Sequence, residues 1–168
     1  MQRERLLTLA AEIDEELNQL EPLAGEIERG WARLASAPRE DQVFFVGSTA
    51  LGLHNFYTIC ERIFENIASE VNGAVPQTPA WHMRLLQSMG IDIPQVRPAV
   101  LSPELGCDLE EFLKFRHLVR NIYALELEPA KLAPLVAKLR KTTSALCREL
   151  GGFTGYLRKL AEALREDP

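Results

Sequence analysis

Apolar side chains recur at alternating intervals of four and three residues over most of the chain, the spacing that places them on one face of an α-helix. The first such stripe predicts a long helix, and its members are Leu6, Ala10, Ile13, Leu17, Leu20, Ala24, Ile27, Trp31 and Leu34. Pro22 lies inside this stripe and has no backbone N–H to donate, so we expect a kink or two abutting helices there. The pair Ala37-Pro38 predicts a loop, with Asp41 as the N-cap of the next helix.

A second stripe with the same spacing is the clearest helix signal in the sequence. Its members are Val46, Ala50, Leu53, Tyr57, Cys60, Phe64, Ile67 and Val71. Asn72-Gly73 follows, and these residue types tolerate the left-handed conformation in which helices commonly end. Repeated prolines then interrupt residues 72–103, so this segment is predicted to be a long connection that contains one short helix at residues 80–89.

Two further helices are predicted after this connection. One runs from Pro103 to about Glu126, and Pro129 is expected to stop it. The other spans residues 132–164, and Gly151-Gly152 weakens its middle by about 1 kcal/mol per glycine. Because no segment alternates like a strand, we predict an all-α fold in which residues 1–168 form a single helical domain, an up-and-down bundle of four long helices plus the short one.

Composition and charge narrow the range of functions. The chain has 168 residues, of which 46% are hydrophobic, and its formal net charge is -5. This acidic balance argues against broad electrostatic binding of nucleic acid, so any contact with RNA must be local. No apolar run approaches the ~20 residues of a membrane helix. The cysteines Cys60, Cys107 and Cys147 form no C-x-x-C pair. We therefore expect a cytoplasmic protein without disulfides, metal or cofactor.

One segment, residues 114–123, is basic and contains no acidic residue in a chain that is acidic overall. At about 100° per residue, Arg116 and Tyr123 fall within the arc of core residues on the predicted helix. His117 and Asn121 fall on the opposite side. Burial of an unpaired charge costs several kcal/mol, so the Arg116 guanidinium needs an oppositely charged partner or a functional role.

The ordinary interpretation of this segment is structural. Arg116 then pairs with an acid on the second helix, Glu61 or Glu65, and Tyr123 is a core tyrosine with a satisfied hydroxyl; structural ion pairs outnumber active sites. The functional interpretation is a cleft at an interface with another chain. The familiar motifs for nucleotide binding, serine hydrolysis and zinc proteolysis are missing, and the histidines are too scattered for a metal site: His54, His82 and His117.

The sequence resembles the HEPN superfamily, in particular HepT-like proteins, over roughly residues 40–140. The similarity is carried by the segments LHNFY at residues 53–57, ERIF at 61–64 and FRHLVRNIY at 115–123, with residues 89–100 of the connection. The resemblance implies an all-α bundle that forms a homodimer. It also implies a metal-independent ribonuclease toxin paired with a minimal nucleotidyltransferase antitoxin.

The resemblance further implies which residues form the site. The family motif is an arginine, four residues, a histidine, one residue and a tyrosine. Arg116 matches the arginine, which would hold the RNA phosphate, and Tyr123 matches the tyrosine, which the nucleotidyltransferase would adenylylate. Asn121 stands where the family has its histidine, and an amide cannot take up a proton near neutral pH. Loss of general acid–base catalysis typically costs about 10²–10⁴-fold in rate.

His117 offers an alternative proton-transfer group, about 40° round the helix and about 6 Å along its axis from Asn121. Lys114 and Arg120 are expected to add contacts to RNA phosphate. Three functions stay open: an endoribonuclease with a cleft at the dimer interface, a degenerate HEPN module that binds RNA or a nucleotidyltransferase without turnover, and a purely structural helical bundle. Burial and pairing of Arg116 inside one subunit would favour the third.

Overall fold

A computed structural model describes residues 2–75, 79–119 and 127–164 of the chain. Within these residues the protein is all-α, as the sequence predicts, and contains no strand beyond one isolated bridge between Ile93 and Arg97. The helices are α1 (Gln2–Leu34), α2 (Arg39–Ile67), α3 (Trp81–Met89), α4 (Pro103–Val119) and α5 (Pro129–Ala163). A π-helical turn, Ala68–Asn72, extends α2.

The apolar stripes of the sequence form the core. The helix α2 contacts every other described helix, and α1 packs against both α2 and α5. Among the largest fully buried side chains are Phe56, Tyr57 and Phe64 of α2 and Phe112 of α4. The rings of Phe56 and Phe112 lie 5.1 Å apart between centroids. The helix α2 is therefore the central element, and α4 packs against it through aromatic side chains.

The structure refines the predictions made for the prolines and the helix ends. The helix α1 continues through Pro22 as one element, which excludes the second of the two expected alternatives, two abutting helices. The helix α2 begins directly after Pro38, and Asp41 lies in its first turn rather than at the N-cap. Pro129 is the first residue of α5, where a missing N–H costs nothing. Gly73, with φ of 83°, ends the π turn in the left-handed conformation, as predicted.

The connection from α3 to α4 is held by Arg97, whose exposed fraction is 2%. Its guanidinium donates to Asn72 Oδ1 and to the carbonyl oxygens of Ser88, Ile91 and Pro98. Burial lowers the pKa of Arg97, and these four acceptors replace the lost water. The bonds join the end of the π turn to α3, which fixes α3 against α2 and α4. The predicted short helix is thereby placed beside the predicted site.

One stretch of the described chain, Arg39–Asn72, is long enough to cross a membrane and contains an 18-residue window with a mean hydropathy of 1.2. Half of its most apolar window is buried inside the fold. Burial in the core accounts for this composition, because a central helix is covered by apolar neighbours on most of its surface.

Candidate functional site at the end of the fourth helix

The predicted site residues divide into two groups. Three lie on α4 near its end: Lys114, Arg116 and His117. The other three lie outside the described residues: Arg120, Asn121 and Tyr123. The predicted end of the fourth helix near Glu126 lies outside them too. The described part of the site is therefore the arginine side of the predicted motif and the side chains that surround it.

Arg116 points into the helical bundle, as the helical projection predicts, and its side chain is 12% exposed. Its Nη1 donates a hydrogen bond to Oε2 of Glu61 on α2, whose side chain is 5% exposed. The guanidinium carbon lies 6.0 Å from the centroid of the Tyr57 ring, a distance typical of cation–π contacts. The sequence leaves Glu61 and Glu65 open as partners, and the structure shows Glu61. Arg116 is thus paired inside its own subunit, the finding that favours a structural role.

Glu61 also binds a side chain that the sequence analysis set aside. His82 Nδ1, at the start of α3, donates to Glu61 Oε1 over 2.5 Å. The His82 ring stacks on Trp81 with 3.7 Å between centroids. On its other side it meets the ring of His117 edge-on, with centroids 5.0 Å apart. One carboxylate therefore connects α2 to α3 through His82 and to α4 through Arg116. We call Glu61, His82, Arg116 and His117 the Glu61 cluster; the first three are largely buried, and His117 is exposed.

Sequence reasoning missed His82 as a member of the site. It lies 21 residues from Glu61, and Arg116 lies 55 residues from Glu61, so no local spacing relates the three. They meet only because α3 packs against both α2 and α4. The position of α3 cannot be predicted from hydrophobic periodicity, because the path of the proline-rich connection depends on the hydrogen bonds of the buried Arg97.

Two buried polar atoms beside the ion pair have no hydrogen-bond partner among the described residues: Tyr57 Oη and Arg116 Nε. Burial raises the pKa of the Tyr57 phenol, so the hydroxyl keeps its proton and can donate. Burial also raises the pKa of Glu65, one turn beyond Glu61, and the Glu61 carboxylate adds to this shift. A ligand oxygen atom that accepts a hydrogen bond from Tyr57 Oη or Arg116 Nε would bind favourably, because a buried donor without an acceptor costs free energy.

Lys114 lies on the outside of α4, with its side chain 65% exposed. Its Nζ contacts Glu110 Oε1, one turn earlier, at 2.6 Å, and this hydrogen bond raises the pKa of Lys114. An RNA phosphate would have to compete with Glu110 for this ammonium group. His117 is exposed at the last turn of α4, in agreement with its predicted outward position.

The Glu61 cluster combines an anion-binding group with groups that transfer protons. A guanidinium binds phosphate in a fixed geometry, and imidazoles exchange protons near neutral pH. In the part of the chain that the structure describes, no group of three or more His, Cys, Asp or Glu side chains is placed to hold a metal ion. The side chains of the Glu61 cluster are of the types that bind anions and transfer protons.

Comparison with known proteins identifies the family. The family model described as HepT-like protein matches residues 48–157, more than half of the chain. The match includes most of α2, all of α3 and α4, and most of α5, and so contains the whole Glu61 cluster. Searches of the curated proteins and of the solved structures gave no match. The resemblance seen in the sequence is confirmed, and the chain belongs to the HepT-like family.

Proposed function

We propose that this HepT-like protein is a weak, metal-independent endoribonuclease of a toxin–antitoxin type system. The observation that supports the proposal is the meeting of Arg116, His82 and His117 around Glu61. Cleavage of RNA by its own 2′-hydroxyl requires a group that holds phosphate and groups that move two protons, and these side chains are of those types.

Two features account for weak activity. Asn121 occupies the position of the family's histidine and cannot transfer a proton near neutral pH. Arg116 is already paired with Glu61, so an RNA phosphate must share the guanidinium with a carboxylate or displace it. Either feature raises the barrier to cleavage.

The proposed assembly is an up-and-down helical bundle that forms a two-fold homodimer. Its axis passes near α4, so that a symmetric interface brings two copies of the site together. The proposed location is the cytoplasm, and the proposed reaction uses no cofactor. RNA is the substrate, with phosphate contacts from Lys114 and Arg120 in addition to Arg116.

Cleavage of labelled RNA by the purified protein tests this function. We expect slow cleavage that persists in EDTA and that increases in Asn121→His, because the new imidazole restores proton transfer at the family's position. Strong wild-type cleavage that His117→Ala abolishes would contradict the importance of Asn121 and assign the catalytic role to His117. Absence of cleavage by both wild type and Asn121→His would refute the proposed activity.

A minimal nucleotidyltransferase is the proposed antitoxin, and Tyr123 is the hydroxyl that it would adenylylate. The attached phosphate would carry negative charge close to Arg116 and Arg120 and so exclude RNA phosphate. Co-expression with a nucleotidyltransferase encoded beside this protein, followed by intact-mass spectrometry, should show an added AMP that Tyr123→Phe prevents. An added AMP that survives Tyr123→Phe, or none at all, would remove Tyr123 from the site.

The ion pair between Arg116 and Glu61 favours a purely structural helical bundle. A guanidinium that is 12% exposed and paired within its own subunit has the arrangement of a structural ion pair. Asn121 favours a different function, a degenerate HEPN module that binds RNA or a nucleotidyltransferase without turnover. Binding of RNA without cleavage, in both wild type and Asn121→His, would support the degenerate module. A purely structural bundle would bind neither RNA nor the nucleotidyltransferase.

A further inference from the structure

The His82 ring is held in one orientation by side chains from three helices. Glu61 of α2 accepts its Nδ1–H over 2.5 Å, Trp81 of α3 stacks on its face, and His117 of α4 meets it edge-on. We propose that His82 is the general base of RNA cleavage in this protein and that Glu61 is its positioning residue. This inference rests on the proposed function, and it assigns the role that Asn121 cannot perform.

The contact with Glu61 determines which nitrogen of His82 can act as the base. A carboxylate accepts hydrogen bonds and does not donate them, so the nitrogen that faces it carries a proton. In the neutral ring the other nitrogen, Nε2, then holds the lone pair that accepts a proton. A base oriented by a carboxylate on its far nitrogen is the arrangement that catalytic triads use. The His82 side chain is 14% exposed, so the ring lies at the edge of the core and not deep within it.

The proposed step balances without a metal, a cofactor or water. His82 Nε2 takes the proton of a ribose 2′-hydroxyl while the 2′-oxygen forms a bond to the adjacent phosphorus. The bond from phosphorus to the 5′-oxygen of the next nucleotide breaks, and that oxygen takes a proton from protonated His117. The products are a 2′,3′-cyclic phosphate and a free 5′-hydroxyl. His82 then loses its proton to solvent, and His117 regains one.

Charged groups on two helices surround the base. Glu61 and Glu65 face it from α2, and Arg116 and His117 lie on α4. The carboxylates stabilise the imidazolium that forms when His82 accepts a proton, as the buried carboxylate of a triad does. Since a general base acts in its neutral form and a general acid in its protonated form, we expect the rate of cleavage to pass through a maximum between an acidic and a basic limb.

The experiment measures RNA cleavage by full-length wild type, His82→Gln and a control, His54→Gln, across pH. His54 lies on α2 and contacts Asn55 rather than the Glu61 cluster. We expect His82→Gln to lower kcat by about 100-fold or more, since general base catalysis contributes that much. The acidic limb of its pH profile should disappear, and its Kd for a non-cleavable 2′-O-methyl RNA should stay unchanged. His54→Gln should match wild type, and thermal melts confirm that each variant is folded.

Wild type alone supplies a second measurement if His82→Gln does not fold. The NMR titration of the His82 ring should have its midpoint at the acidic midpoint of the pH–rate profile, and a difference of more than about one pH unit would overturn the inference. Cleavage by His82→Gln with the rate and profile of wild type would overturn the inference alone and leave the proposed function intact. No cleavage by wild type would instead overturn the proposed function, and the role of His82 with it.

Discussion

Removal of the Glu61 carboxylate should destabilise the fold strongly. The Glu61 side chain is 5% exposed and accepts hydrogen bonds from Arg116 and His82. In Glu61→Ala the Arg116 guanidinium, 12% exposed, loses its anion, and within the described part of the chain its Nε has no partner to begin with. Loss of one member of a buried ion pair typically costs about 3–5 kcal/mol. We expect about 3 kcal/mol because Arg116 keeps an edge in solvent, and Tm should fall by about 6–12 °C in a chain of this size.

Equilibrium denaturation in urea, followed by far-ultraviolet circular dichroism, measures this loss. Glu110→Ala is the control, because the pair of Glu110 with Lys114 is 37% and 65% exposed, and exposed pairs contribute little to stability. The double variant Glu61→Leu with Arg116→Met removes both charges and should be more stable than Glu61→Leu alone. A loss below about 1 kcal/mol in Glu61→Ala, or a double variant less stable than the single one, would refute the cost assigned to an unpaired Arg116.

Three further predictions concern packing, thiol reactivity and assembly. A Cβ on Gly52 would lie 2.5 Å from Ile27 Cγ1, so Gly52→Ala should lower the free energy of unfolding by about 1–3 kcal/mol. A Cβ on Gly47 meets nothing within 4 Å, so Gly47→Ala should be neutral or stabilising, and urea titrations that give the reverse order would contradict the α1–α2 packing. Burial raises the pKa of the Cys60 thiol, so Ellman's reagent should modify the exposed Cys107 and should not modify Cys60 until the protein unfolds. Modification of Cys60 in the native protein would contradict its burial. Light scattering should give twice the chain mass of 18.9 kDa, and a monomer at tens of micromolar would count against the proposed dimer.

The helices could be predicted from the sequence because each buries one apolar stripe, and the stripe depends only on spacing. The predicted stripe of residues 46–71 lies on α2 and its π turn, which form the centre of the fold. The helix ends were less predictable, since Pro129 has the same local sequence signal whether it stops one helix or begins another. Only the tertiary path of the chain decides between these outcomes.

The candidate site was predictable on one helix and not across helices. The inward direction of Arg116 follows from helical geometry, and the structure confirms it. The choice of Glu61 over Glu65 does not follow, because residues four apart lie on the same face of α2. The position of His82 beside Glu61 depends on how the proline-rich connection places α3, and hydrophobic periodicity does not predict the path of that connection. Asn121 and Tyr123 lie outside the described residues, so their assigned roles stay predictions.

The most direct test of the proposed activity is the rate at which the wild-type protein converts RNA to 2′,3′-cyclic phosphate and 5′-hydroxyl ends in the presence of EDTA. We predict slow formation of both ends, unaffected by EDTA and lowered at least about 100-fold in Arg116→Gln, which keeps a polar side chain but cannot neutralise a phosphate. Thermal melts show that the variant is folded at the assay temperature. Formation of other ends, inhibition by EDTA, or equal rates for wild type and Arg116→Gln would contradict the proposed reaction.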